Sequence, residues 1–263
     1  MIRLIACDLD GTALDDNKKL DSGLFEVVPK LKEKGILFTI ASGRNEELLG
    51  EYIDSLNIDI PYIVNNGGNI YQNHKCLVND CLDNKYNNFI VNTLYENNIP
   101  FRLFSVEDYY AYSDSDFFTG RLKSHYISLK KYSPDLDLSN HHIYKITSDY
   151  NDHLDAFDSV YKKIVENCKG ISYLQAEKNI YCISSKTANK GDGLLKLCEM
   201  LKIDSEEVMV FGDHGTDLPL LEKAGIAVAV ENGEDDAKKI ADYICKDNNS
   251  NGVSGFIKEY FNI

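Results

Sequence analysis

Two aspartates one residue apart, Asp8 and Asp10, follow the apolar run RLIAC at 3–7, and Gly11-Thr12 comes next. A run of that kind reads as a buried strand, and a strand that ends on two carboxylates is placed for chemistry. Further acids recur at Asp213 and Asp217, just past the apolar run VMVF at 208–211. Clustered carboxylates ionise together cheaply only when a hard cation joins them, and oxygen donors of this type suit Mg²⁺. A carboxylate can attack phosphorus as a covalent nucleophile. A second one nearby can protonate the departing alkoxide and then activate water. The chemistry indicated is therefore phosphoryl transfer. Gly11 allows a tight turn whose amide hydrogens form an anion-binding nest, and Ser42 and Lys190 would hold the non-reacting phosphate oxygens. Uncatalysed phosphate-monoester hydrolysis needs acceleration approaching ~10²¹, so nucleophile, acid, metal and clamp are required together.

The elements that must position these residues alternate between strand and helix. RLIAC is followed by the helical spacing of LFEVVPKLKEKG, which Gly35 stops. ILFTIA at 36–41 is the next strand, EELLGEYIDSL a helix, and YIV at 62–64 a strand running into NNGG. The pattern resumes with a helix at 193–201, strand VMVF, helix DLPLLEKAG, strand IAVAV at 226–230 and helix DDAKKIADYI. Nearly continuous apolar strands between amphipathic helices predict a Rossmann-like parallel sheet covered on both faces. Between 82 and 184 consecutive strands and two helices predict an inserted α+β cap domain, so the core is discontinuous, 1–81 and 185–263. The polar run KDNNSNG at 246–252 reads as a surface loop.

In such a sheet ligands bind outside the carboxyl ends of the strands. Those ends carry Asp8 and Asp10; Ser42, Gly43 and Arg44; Asn65, Asn66, Gly67 and Gly68; Gly212, Asp213 and Asp217; and Glu231, Asn232 and Gly233. Taken singly each has an ordinary explanation, such as a helix cap for Ser42, a surface lysine for Lys190 or a turn for NNGG. Their joint placement at matching strand ends is the signal. Weaker candidates are His214 as a substrate contact, and Tyr109, Tyr110, Tyr112 and Tyr126 of the insertion, which read first as packing. His141-His142 reads as surface.

The 263 residues carry a net charge of −14, with 43% hydrophobic and 27% charged residues. That acidity argues against a nucleic-acid-coating protein but not against a small anionic substrate. No run approaches the roughly 18 apolar residues of a membrane span, and the N-terminal run is too short for a signal peptide. The expected address is the cytoplasm, with no protein partner evident. Seven cysteines without a CxxC pair support neither a zinc ribbon nor a redox motif.

With those residues in place, the sequence resembles the haloacid dehalogenase superfamily, and within it the Cof-like phosphatases with a large inserted cap (subclass IIB). DLDGT at 8–12, ASGR at 41–44, Lys190 in TANKGDGL and GDHGTD at 212–217 correspond to its four motifs, with NNGG at 65–68, AGIAVAVENG and NGV at 251–253 as further similarity. The resemblance implies Asp8 as nucleophile, Asp10 as acid/base, and Ser42 and Lys190 on the phosphate. Gly43, Arg44, Asn66, Gly67 and Asn232 would line the substrate. Mg²⁺ would be held by Asp8, the carbonyl of Asp10 and Asp213, supported by Asp217. The expected activity is hydrolysis of a small phosphorylated metabolite, such as a sugar phosphate, pyridoxal phosphate or FMN. A second enzyme reading is a phosphotransferase or mutase using the same intermediate. Two departures, Thr216 in place of the usual asparagine and Glu231 at the rim, keep open a weakly active binding or regulatory protein.

Overall fold

The computed structural model describes residues 1–112, 130–149, 154–177 and 180–263; Tyr126 and the turn at Lys178-Asn179 lie outside them. The chain divides into two compact units, Met1–Val78 with Asn189–Ile263, and Asn79–Ala188. The second is a few residues wider at each end than the insertion expected at 82–184.

The first unit is built on a parallel sheet. Its strands are β1 (Leu4–Cys7), β2 (Leu37–Ile40), β12 (Val208–Gly212), β13 (Ile226–Val230) and β14 (Tyr243–Cys245), in the order β14-β13-β12-β1-β2. Side chains alternate between faces along a strand. Ile5, Cys7, Met209, Phe211, Val228 and Val230 therefore meet helices α1 (Leu24–Glu33), α2 (Glu46–Ser55) and α8 (Gly252–Phe261). Leu4, Ala6, Val208, Val210 and Ala227 meet α5 (Lys190–Leu201), α6 (Leu218–Lys223) and α7 (Asp235–Ile240). Both faces are covered, which explains why these strands read as apolar runs without alternation. The chain passes from β1 to β2 on one side and to β12 on the other, so the strand order reverses at the carboxyl end of β1, where a sheet of this kind opens a crevice.

Three features depart from the sequence expectations. β3 (Tyr62–Val64) is joined to the parallel sheet by a single parallel bridge, Ala41–Ile63, rather than by a full ladder. It pairs antiparallel with β4 (Asn69–Gln72), which continues into β5 (Lys75–Asn79), a hairpin the periodicity did not announce. Residues 235–244 are not one helix: α7 stops at Ile240, and Asp242 exchanges backbone and side-chain hydrogen bonds with Ala227 to seat β14 at the sheet edge. The segment KDNNSNG is not a plain surface loop either, because Asn248 is buried and bonded to distant backbone.

The β4–β5 turn is Asn73-His74, both with positive φ (49° and 58°), the signature of a two-residue hairpin turn. His74 reaches back to α2, with Nδ1 2.7 Å from Glu46 and Nε2 2.9 Å from Asp54. Glu46 also accepts the Tyr62 hydroxyl at 2.7 Å.

The second unit is a sheet in the order β10-β11-β9-β6-β7-β8, from β6 (Phe101–Ser105), β7 (Tyr109–Tyr112), β8 (Lys130–Lys131), β9 (Ile143–Asp149), β10 (Ile171–Glu177) and β11 (Ile180–Ser185). All neighbours are antiparallel except β7 and β8. Helices α3 (Asn87–Glu96) and α4 (Leu154–Asn167) share its apolar cluster through Ile90, Leu94, Val160 and Ile164. Tyr110 and Tyr112 pack against His141, Tyr95 and Phe101, and Tyr109 accepts the Tyr144 hydroxyl. His141 is half-buried rather than surface, and His142 pairs with Glu107 at 2.6 Å. All seven cysteines are free thiols.

Hydrogen bonds donated to the Glu46 and Asp54 carboxylates raise the His74 pKa, against an opposing effect of burial. A raised folded-state pKa means that this strap is fully present below the unfolded value and is lost as pH rises through the folded one. His74→Asn keeps a side chain that tolerates positive φ. It is expected to lower the melting temperature by about 2 °C at about pH 6, a small effect because the pair is half-exposed, and the gap should shrink in mildly alkaline buffer. Differential scanning fluorimetry across that range checks it.

Candidate active site

The carboxyl ends of the strands hold the candidate residues. Asp8 directly follows β1 and is bonded through its amide to the carbonyl of Phe211 in β12. Lys190 is the first residue of α5, a helix that begins three residues earlier than its periodicity indicated. Asn189 sets that start: its side chain accepts the Asp192 amide at 2.9 Å and donates to the Asp192 carboxylate at 2.8 Å. The Lys190 ammonium thereby lies 2.6 Å from Asp8 Oδ1 and 2.5 Å from Asp217 Oδ1, with Lys190 2% and Asp217 1% exposed.

Asp217 closes a 3₁₀ turn, Gly215–Asp217, after β12. Its Oδ2 accepts the amides of Asp213 and His214, both at 3.1 Å. It is thus committed to Lys190 and to its own loop. Asp213 is held from the other side by the Thr12 hydroxyl at 2.7 Å, and Gly11 packs against it. A Cβ on Gly11 would lie 2.4 Å from Asp213 Oδ2, and φ is +83° there, so only glycine fits. Sequence reasoning gave no role to Thr12 or to Glu234. The latter accepts the Gly215 amide at 2.9 Å and faces the half-exposed His214 at 3.2 Å.

Carboxylate oxygens of Asp8, Asp213 and Asp217 lie within 4.8 Å of one another. One ammonium faces three carboxylates. Burial and then the charge of Asp217 raise Asp8 well above the ordinary carboxylate range, and the same two causes raise Asp213 to about 6. Burial opposes the charge on Lys190, but the two carboxylates prevail and keep it protonated. The negative charge left over, on oxygen donors alone, fits a hard divalent cation. Asp10 does not share this cluster. Its carboxylate accepts Arg44 Nε at 2.6 Å, Arg44 Nη2 at 2.7 Å and Lys18 Nζ at 2.7 Å. Although burial works against ionisation, these bonds bring Asp10 down to about 2.

Ser42, 1% exposed, accepts the Arg44 amide at 3.2 Å, and its backbone bonds Ile63 and Asn66. Asn66 lies against Gly43, where a Cβ would be 2.8 Å from its Oδ1. Asn65, Asn66 and Gly67 take positive φ in succession (51°, 55° and 91°), so NNGG is a left-handed corner and not a plain turn. A Cβ on Gly67 would sit 2.1 Å from the Asn189 carbonyl, so this corner butts against the cap of α5 and thereby sets where Lys190 lies. Asn232 donates to the Gly11 carbonyl at 2.7 Å and accepts the Asn248 amide at 2.9 Å, so both ends of its side chain are taken by backbone. Glu231 is exposed, and the Thr216 amide donates to His214.

A family model described as haloacid dehalogenase-like hydrolase matches residues 5–257. The chain is 28% identical to a phosphoglycolate phosphatase of Methanobrevibacter smithii, covering 98% of each protein. It is 25% identical, again over 98% of each, to a 5-amino-6-(5-phospho-D-ribitylamino)uracil phosphatase of Bacillus subtilis. A solved structure described as a subclass IIB sugar phosphatase of the same superfamily superposes with a TM-score of 0.82 at 20% identity, over 99% of this chain and 100% of that one.

Two outcomes test this geometry. Asp213 holds a proton in the folded state up to about pH 6 that the unfolded chain releases near its ordinary value of 3.8. The metal-free protein should therefore lose stability as pH rises through that window, and a divalent cation bound at this cluster should raise the melting temperature more at about pH 7 than at about pH 5. Gly67→Ala should cost about 2 kcal/mol in urea unfolding, from strain at positive φ and the clash with Asn189.

Proposed function

The chain belongs to the haloacid dehalogenase-like hydrolases, and from that premise we propose that it is a Mg²⁺-dependent phosphatase that cleaves a small phosphomonoester through an aspartyl-phosphate on Asp8. The observation that carries this reading is the buried Asp8–Lys190–Asp217 cluster with Asp213 beside it. Lys190 engages Asp8 at one oxygen and keeps the carboxylate oriented. Asp8 attacks phosphorus and forms the new P–O bond. The ester P–O bond breaks with its electron pair on the alkoxide, which takes the proton of Asp10. In the second half Asp10 takes a proton from water as the water oxygen attacks phosphorus, and Asp8 leaves as a carboxylate. Ser42, Lys190 and the turn amides around Gly11 hold the equatorial oxygens. Asp8, Asp213 and the Asp10 carbonyl would hold Mg²⁺, which would supply charge neutralisation on the phosphate.

The cage of Arg44 and Lys18 suits Asp10 to the second half, in which it must be ionised. In the first half it must carry a proton, so the two cations have to release it. Arg44 is thereby assigned to Asp10 before substrate. Asn66, Gly43 and Gly67 shape the rim, and residues 79–188 are assigned the choice of leaving group. The substrate class is a sugar phosphate or a phosphorylated cofactor. That the two relatives are named for phosphoglycolate and for a phosphorylated ribitylaminouracil supports a small phosphorylated metabolite.

Purified protein should release phosphate from p-nitrophenyl phosphate with Mg²⁺ and stop on chelation. Asp8→Asn should reduce turnover to background while leaving the melting temperature within a few degrees. A panel of phosphorylated metabolites then ranks the substrates, and turnover that survives Asp8→Asn overturns the reading.

A further inference from the structure

The turn after the nucleophile is tied at both ends by one pair of asparagines from the far end of the chain. Within the turn, Leu9 O accepts the amides of Thr12 (3.2 Å) and Leu14 (2.8 Å). That leaves the carbonyls of Gly11 and Leu14 for partners elsewhere. Asn232 Nδ2 donates to Gly11 O at 2.7 Å, and Asn248 Nδ2 donates to Leu14 O at 2.9 Å. The two asparagines are joined, because Asn232 Oδ1 accepts the Asn248 amide at 2.9 Å. Asn248 is 5% exposed and also reaches Asp16 at 3.3 Å, and neighbouring Asn249 and Asn251 accept the amides of Asp16 and Ser22.

Gly11 needs that hold. Glycine is the residue least restricted in φ and ψ, so the peptide planes on either side of it are soft unless something fixes them. The plane before Gly11 contains the Asp10 carbonyl. The plane after it leads to Thr12, whose hydroxyl holds Asp213. A rotation at Gly11 would therefore misplace two neighbours of the carboxylate cluster at once, without unfolding anything.

We infer that Asn232 and Asn248 are positioning residues that act as one unit, fixing the Gly11 peptide and through it the cation-binding geometry of Asp10 and Asp213. This rests on the reading that the segment after β1 carries the nucleophile and a divalent cation. Neither side chain touches the reacting atoms.

A double-mutant cycle on the full chain tests it, with Asn232→Ala, Asn248→Ala and the pair, and Asn248→Ser as the milder change at the buried position. Mn²⁺ binding is read by electron paramagnetic resonance, turnover of p-nitrophenyl phosphate by kcat and KM, and folding by melting temperature. Asn232→Ala, at an exposed position, should weaken Mn²⁺ binding about tenfold and lower kcat about tenfold or more, with KM and the melting temperature little changed, as for residues that orient metal ligands. The double variant should be no worse than the poorer single one by more than about threefold, since partners in one relay do not add. Unchanged Mn²⁺ binding in Asn232→Ala, or additive losses that follow the melting temperature, would overturn the inference. If the unaltered protein neither binds Mn²⁺ nor turns over the ester, the functional reading beneath it fails instead, and the inference with it.

Discussion

Buried negative charge is the constraint around which this core is arranged. Asp8, Asp213 and Asp217 crowd together where one ammonium is the only cation bonded to them among the described residues. Taking ions out of water costs several kcal/mol each, and mutual attraction recovers it only with full hydrogen bonding. The core meets that demand by accounting for every oxygen it can. Asp217 spends one oxygen on Lys190 and the other on two amides, and Asp213 takes a hydroxyl from Thr12. The negative charge that remains uncompensated, on oxygen donors alone, is what a hard divalent cation would neutralise. Asp10 obeys a different rule, since Arg44 and Lys18 neutralise it separately and keep its charge apart from the cluster.

Such crowding needs backbones that approach without side chains between them. Gly11 against Asp213, Gly67 against Asn189 and Gly191 against the Pro219 carbonyl are each closer than any Cβ would allow. The left-handed corner at 65–67 is the most demanding of these, for it places two asparagines in a conformation that ordinarily favours glycine. The corner's hydrogen bonds to Ser42 and Arg44 hold it there. A corner that looked like a turn in one dimension is the stop against which the helix carrying Lys190 is seated.

The parallel core was legible because each of its strands is buried on both faces and so is apolar throughout, as in IAVAV and VMVF. The grouping of the acids with Ser42 was legible because strand ends in one sheet must share an edge, whereas Lys190 heads a helix and was reached through the motif that the chain resembles. The hairpin at Asn69–Asn79 escaped because Asn73-His74 lacks the glycine that usually marks such a turn, and β5 is largely exposed. Strand β14 was absorbed into a helix because DDAKKIADYI keeps a helical spacing to its end, and the break comes from long-range partners: the Ala227 amide donates to the Asp242 carboxylate, and Tyr243–Cys245 pairs with β13. Asn248 was misread for a related cause: composition reports that a segment is polar, not whose carbonyl it will meet. Arg44 was expected to line the substrate, because nothing local announces a partner 34 positions away.

The order in which these contacts can form follows from how far apart they lie along the chain. β1 pairs with β12 about Leu4 and Val208, and Asn248 closes on Leu14 from still further away. Residues 79–188, by contrast, form their own compact unit without a break. During synthesis that unit can fold as soon as it has emerged, whereas β1 and its aspartates must wait for nearly the whole polypeptide. The first acidic segment to be translated is therefore the last to be assembled, and a chain that stops short of Asn248 leaves the turn after Asp8 without its clasp.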